Sequence, residues 1–160
     1  RLRALCEGDR PANFLVSIDG GSEETYNHIR KRGHYKKAMA TLKILSDIQK
    51  ERGVRDLVKW NYVVMRSNLG EMKDAIDMAE DLGVDINFAP IQGGDPEQDI
   101  YRCPEIRGEA QPAYFENLQA YAKTKIVSIS GLIGMKIRLE NGDKRVEERS
   151  KNLISISTSS

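Results

Sequence analysis

Apolar residues in this chain gather in short runs separated by stripes at helical spacing. Phe14 to Ile18 is an apolar run that ends abruptly at Asp19-Gly20-Gly21. It predicts a first strand over Phe14–Asp19, the kind that delivers side chains to the carboxyl end of a parallel sheet. Ser22 follows as an N-cap, with Glu23 and Glu24 placed to complement a helix dipole. That helix is short, reaching about Ile29 before Gly33 breaks it. Tyr35 to Arg52 is the clearest helix. Ala38, Met39, Leu42, Leu45 and Ile48 recur at spacings of three and four and line one face, and Gly53 sits where a C-terminal cap belongs. Val58–Met65 predicts a second strand, with Lys59 and Asn61 inside it. Asn68-Leu69-Gly70-Glu71 has the form of a capping box. The helix after it carries Met72, Ala75, Ile76, Ala79 and Leu82 on one face and stops at Gly83. Val84–Pro90 predicts a third strand.

Beyond Pro90 the pattern weakens. Residues 92–110 read as loop, and Pro112 suits the first turn of a helix reaching about Thr124. Ile126–Ile129 predicts a short fourth strand. The rough alternation from Lys136 to Val146, around Asn141-Gly142, predicts a hairpin. Residues 1–13 read as a polar lead-in and Ser155–Ser160 as a frayed tail. The chain therefore divides near residue 94, into βα units over 1–94 and an extension over 95–160. The order β-α-β-α-β-α implies an α/β fold with a parallel sheet and right-handed crossovers. Sites in such sheets lie at the carboxyl ends of the strands. The three strand ends are Ser17-Ile18-Asp19-Gly20-Gly21, Met65-Arg66-Ser67-Asn68 and Ala89-Pro90-Ile91-Gln92-Gly93-Gly94. All are polar or glycine-rich, which supports one shared site.

Composition narrows the partners. With 39% hydrophobic and 31% charged residues, the chain fits a globular domain with its own core. A net charge of +1 leaves no footprint for nucleic acid or an anionic membrane. No apolar stretch approaches the ~20 residues of a membrane span, and no leader peptide is visible. Cys6 and Cys103 form neither a C-x-x-C pair nor a zinc spacing, so a reduced cytoplasmic compartment is the simplest expectation. The first residue is Arg1, which suggests a piece of a longer protein or a trimmed chain. His28 and His34, beside Arg30-Lys31-Arg32, read as solvated surface, and Trp60 and Met65 as core. Asn61 is an amide inside a strand and requires a partner, protein or ligand.

The segments Val16-Ser17-Ile18-Asp19-Gly20 and Tyr26-Asn27-His28-Ile29-Arg30 resemble the fourth strand and following helix of radical S-adenosylmethionine (radical SAM) enzymes. Asn61-Tyr62-Val63-Val64-Met65-x-x-Asn68 looks like the fifth strand and its exit. Leu82-Gly83-Val84-Asp85 through Phe88-Ala89-Pro90-Ile91 looks like the sixth. The likeness covers about residues 13–94, the back half of that family's TIM-like partial barrel.

The resemblance implies a parent enzyme in which a [4Fe–4S] cluster reductively cleaves S-adenosylmethionine and the resulting radical abstracts a substrate hydrogen. It implies a reductant such as flavodoxin or ferredoxin, and a small-molecule or peptide substrate. By the same resemblance Ser17 and Asp19 face the ribose or methionine part of the cofactor, and Arg30 lies near its carboxylate. Pro90 and Ile91 meet adenine, and Lys59 and Asn61 contact substrate. The family's Cys-x-x-x-Cys-x-x-Cys ligands are not in this chain, so the chain alone is expected to hold no cluster and to be inactive. Asp-Gly-Gly is also ordinary turn chemistry, and Arg30 suits a solvated helix surface. Two rival expectations share the βα grammar. One is another barrel enzyme, of aldolase or phosphate-binding isomerase type, and the other a non-catalytic half-barrel scaffold.

Overall fold

Alternation along the strands sets the architecture. The computed structural model describes residues 2–6, 13–93, 95–102 and 111–141. In strand β2 (Val58–Val64), Val58, Trp60, Tyr62 and Val64 are buried, while Lys59, Asn61 and Val63 are half-buried. Strand β3 (Asp85–Pro90) repeats this, with Ile86 and Phe88 inside. Strands β1 (Phe14–Ser17) and β4 (Ile129–Ser130) flank them. The sheet order is β1-β2-β3-β4, and every pairing is parallel.

That order has a geometric consequence. Consecutive parallel strands joined by right-handed crossovers place every connecting helix on the same face. Helix α3 (Tyr35–Glu51) packs on β1 and β2, and α4 (Met72–Leu82) on β3. Their apolar faces meet the buried side of the sheet: Leu42, Leu45 and Ile48 from α3, and Met72, Ala75, Ile76 and Ala79 from α4. The opposite face, carrying Leu15, Ser17, Lys59, Asn61, Asp85 and Asn87, is bare of helices among the described residues. Trp60, Tyr62 and Phe88 form a tilted aromatic row under the helices, with centroids 6.4 and 5.3 Å apart.

Polar side chains fasten this layer. Buried Gln49 accepts from Leu57 N (3.0 Å) and Val58 N (3.2 Å) and donates to Gly83 O (3.1 Å), joining α3 to the entrances of two strands. Trp60 Nε1 donates to Ile18 O at 2.8 Å. Helix α5 (Gln111–Ala122) and helix α6 (Leu132–Asn141) pack on each other, and their Phe115, Leu118, Leu132 and Met135 join the same core. Gly131 precedes α6 with φ 95°, and a Cβ there would lie 1.8 Å from Phe88 O, so only glycine fits.

Several expectations from sequence need correction. Part of the lead-in is helix α1 (Leu2–Cys6), because Cys6 is buried in the core. The fourth strand is only Ile129–Ser130, later than the expected Ile126–Ile129. The hairpin over Lys136–Val146 is replaced by α6 as far as Asn141, and its remainder lies outside the described residues. The reason is a helical stripe, Leu132, Met135 and Leu139, that reaches the core at spacings an extended strand could not use. Cys103 and the Ser155–Ser160 tail also lie outside the described residues.

Among the described residues strand β1 ends the sheet with no charge, proline or bulge to blunt it, and Leu15 is 64% exposed. The isolated chain is expected to self-associate through this edge. Sedimentation velocity across a concentration series should show growing association, weakened by Leu15→Lys. A monomer at every concentration would count against it.

Candidate functional site

The exits of β1 and β2 are built around a buried carboxylate. Asp19, 3% exposed, lies two residues beyond the end of β1. Its Oδ1 accepts from Val63 N at 2.9 Å. Its Oδ2 accepts from Arg30 Nε at 2.8 Å and lies 2.7 Å from Nη2. Arg30 caps helix α2 (Glu23–Ile29), where its backbone N–H donates to Tyr26 O. Asp19 thus ties the end of β1 to the backbone of β2 and draws the guanidinium over the strand end. The Arg30 side chain remains 43% exposed, and its Nη1 makes no bond among the described residues.

Two further side chains lock the loops. Asn68 is fully buried and uses its whole carboxamide. Oδ1 accepts from Met65 N (2.7 Å), and Nδ2 donates to Val63 O (2.9 Å) and Asp19 O (3.3 Å). Glu71 accepts from Gly21 N (2.8 Å), Ser22 Oγ (2.8 Å) and Thr25 Oγ1 (2.6 Å). The expected capping box at Asn68–Glu71 is therefore absent. Residues Arg66–Glu71 form a 3-10 turn; Asn68 caps the start of that turn through Met65 N while its Nδ2 reaches Asp19 O, and Glu71 reaches across to the β1 exit instead of serving the next helix. Ser22 does cap α2 as expected, accepting from Thr25 N at 3.2 Å. Gly20 is required by crowding: a Cβ would lie 2.9 Å from Tyr26 N.

The bare face carries a second arrangement. Ser17, Asn61, Asn87 and Ser130 share one register row across all four strands. Ser130 Oγ donates to Asn87 Oδ1 at 2.8 Å, and Asn87 Nδ2 donates to Asn61 Oδ1 at 3.0 Å. The partner that Asn61 requires is therefore Asn87. Ser17 forms no hydrogen bond through its hydroxyl among the described residues.

The structure thus gathers Ser17, Asp19 and Arg30 at one strand exit. Pro90 and Ile91 lie at the same end of the sheet, two strands away, where Ile91 N donates to Val64 O at 3.1 Å. Asn61 sits mid-strand beside Ser17 in register. Lys59 does not reach the carboxyl end; it lies one residue into β2, on the bare face. Sequence reasoning missed Glu71 as a tie to β1, and missed Asn87 and Ser130. Asn87 had a signal: an amide within an apolar strand, as at Asn61. Among the described residues no group of three or more His, Cys, Asp or Glu is placed to hold a metal ion, and Cys6 is buried. A cavity of about 320 Å³ opens at the opposite end of the sheet, between Gln49, Lys50, Arg55 and Asp85.

Two stability predictions follow from these locks. Burial raises the Glu71 carboxyl, but the hydrogen bonds from Thr25, Ser22 and Gly21 outweigh it and hold the group below its ordinary pKa. Its contribution is therefore present above the unfolded carboxyl pKa and lost as pH falls through the lower folded one. Glu71→Gln should cost about 1–2 kcal/mol at neutral pH, a deficit that vanishes in acid. Denaturant melts of both proteins across the acidic range check this, and a constant deficit would refute it. Arg30→Ala should cost about 2 kcal/mol, less than for a fully buried pair because Arg30 is half-exposed. Adding Asp19→Asn should recover part of that loss in a double-mutant cycle, and strict additivity would show that the pair is uncoupled. Compared with protein-family models, with curated proteins and with solved structures, the chain matches none.

Proposed function

We propose that this chain is the back half of a radical SAM-type βα barrel and that its parent enzyme binds S-adenosylmethionine at the carboxyl ends of β1 to β3. The observation that carries the reading is the meeting of Ser17, Asp19 and Arg30 at one strand exit, on a parallel sheet whose strands run in chain order. A barrel built from such units keeps its helices outside and its bare face inside.

The residues fit the cofactor in a specific way. Arg30 keeps Nη1 for a second carboxylate while Nε and Nη2 stay on Asp19. Guanidinium forks suit that double duty. Asp19 then acts as a positioning residue, because both of its oxygens are already engaged. The Ser17 hydroxyl is open to a ribose or amino-acid oxygen, and Pro90 and Ile91 offer an apolar shelf to adenine. The cluster does not fit the described residues, whose one cysteine is buried; its thiolates belong to another part of the parent protein. When bound, S-adenosylmethionine would supply the hydrogen-abstraction chemistry of the family, with electrons coming through that cluster from a donor such as flavodoxin or ferredoxin. This chain's residues bind and orient.

The test uses the full-length parent protein, purified anaerobically. Expected are a Cys-x-x-x-Cys-x-x-Cys segment upstream of Arg1, bound iron with visible absorption, and formation of 5′-deoxyadenosine on reduction. Arg30→Ala should raise the S-adenosylmethionine concentration for half-maximal turnover about tenfold, the loss of one charge-assisted pair. A parent without that cysteine segment and without iron would overturn the reading.

A further inference from the structure

The polar row on the bare face has a direction. Ser130 donates to Asn87, and Asn87 donates to Asn61. Turning the Asn61 carboxamide over by itself would set its N–H groups against those of Asn87, so the two carboxamides keep a common sense along the row. Each bond in such a chain polarises the next. In this sense the row ends at Asn61 with amide N–H groups left to give, and on the β1 side of it stands the Ser17 hydroxyl, which has no hydrogen-bond partner among the described residues. Lys59 lies on the same face of β2, two residues before Asn61. It is half-buried and forms no salt bridge among the described residues. Its register neighbour Asp85 accepts from Ser128 N, on the side away from β1. The β1–β2 side of the face thus presents donors: an ammonium, an amide and a hydroxyl. Their complement is an anionic oxygen pair.

We propose that Lys59 and Asn61 form a carboxylate-binding subsite on the bare face, bordered by Ser17, with Asn87 and Ser130 as positioning residues that aim the Asn61 amide. The inference rests on the reading of this face as the ligand-facing interior of a barrel, and it names the chemistry that interior takes: a substrate bearing a carboxylate.

The probe is succinate, with neutral succinamide as its isostere, titrated into the ¹⁵N-labelled chain at fixed ionic strength. Succinate should shift the Asn61 side-chain amide resonances saturably, and succinamide should bind about tenfold more weakly. Lys59→Met should abolish that preference for the charged probe. Asn87→Leu should weaken succinate about tenfold with the melting temperature little changed. If Asn87→Leu disturbs folding, Ser130→Ala at the exposed end of the row replaces it, with a smaller loss expected. Succinamide binding as tightly as succinate, or no saturable shift at Asn61, would overturn the proposal. So would full succinate affinity in the Asn87 and Ser130 variants. The titration needs neither S-adenosylmethionine nor iron, so its failure is distinct from failure of the radical-enzyme reading.

Discussion

Strand order is the constraint on which everything else depends. Four parallel strands laid down in chain order, with the right-handed crossovers such connections take, leave one face of the sheet clothed in helices and the other bare among the described residues. A parallel sheet covered on both sides reads as continuous apolar strands. Here β2 and β3 alternate instead, with aromatic and branched residues under the helices and Lys59, Asn61, Asp85 and Asn87 on the other side. The polar row could exist only on such a face.

At the carboxyl end the chain uses buried and half-buried polar groups to hold loops together. Asp19 lies far in sequence from Asn68 and Glu71, yet each of the three bonds across the gap between the β1 and β2 exits. Glycine at position 20 lets the β1 exit pass close under Tyr26 N, and Arg30 is drawn back across the strand end it follows. Ser17 and one arm of Arg30, which keep hydrogen-bonding capacity unused among the described residues, sit on this fixed frame.

Much of this was legible in the sequence, and the failures have physical causes. The strands at Phe14, Val58 and Val84 and the helices from Tyr35 and Met72 announced themselves through apolar spacing, with Gly53 and Gly83 marking helix ends at positive φ. Ser22 capped its helix as its position implied. Asn68-x-x-Glu71 misled because a capping box and a cross-loop tie use the same side chains. Only the approach of the β1 loop, 50 residues away from Glu71 in the bond to Gly21, decides between them. Asn141-Gly142 misled because a turn signal is local, whereas the core contacts of Leu132 and Met135 are not. The partner of Asn61 was unreadable, since register across strands is set by crossovers and not by any one strand.

The Asn68 carboxamide carries a consequence for motion. One side chain, without exposure to water, holds the backbone at Asp19 and the backbone at Val63 and Met65 together. Displacing either exit alone would strand a desolvated amide, so the two loops travel as a single stiff body. Their ordering entropy is spent when the chain folds, not when a ligand arrives. A molecule entering at this end meets a surface already set, and adaptation to its shape falls to the half-exposed Arg30 arm.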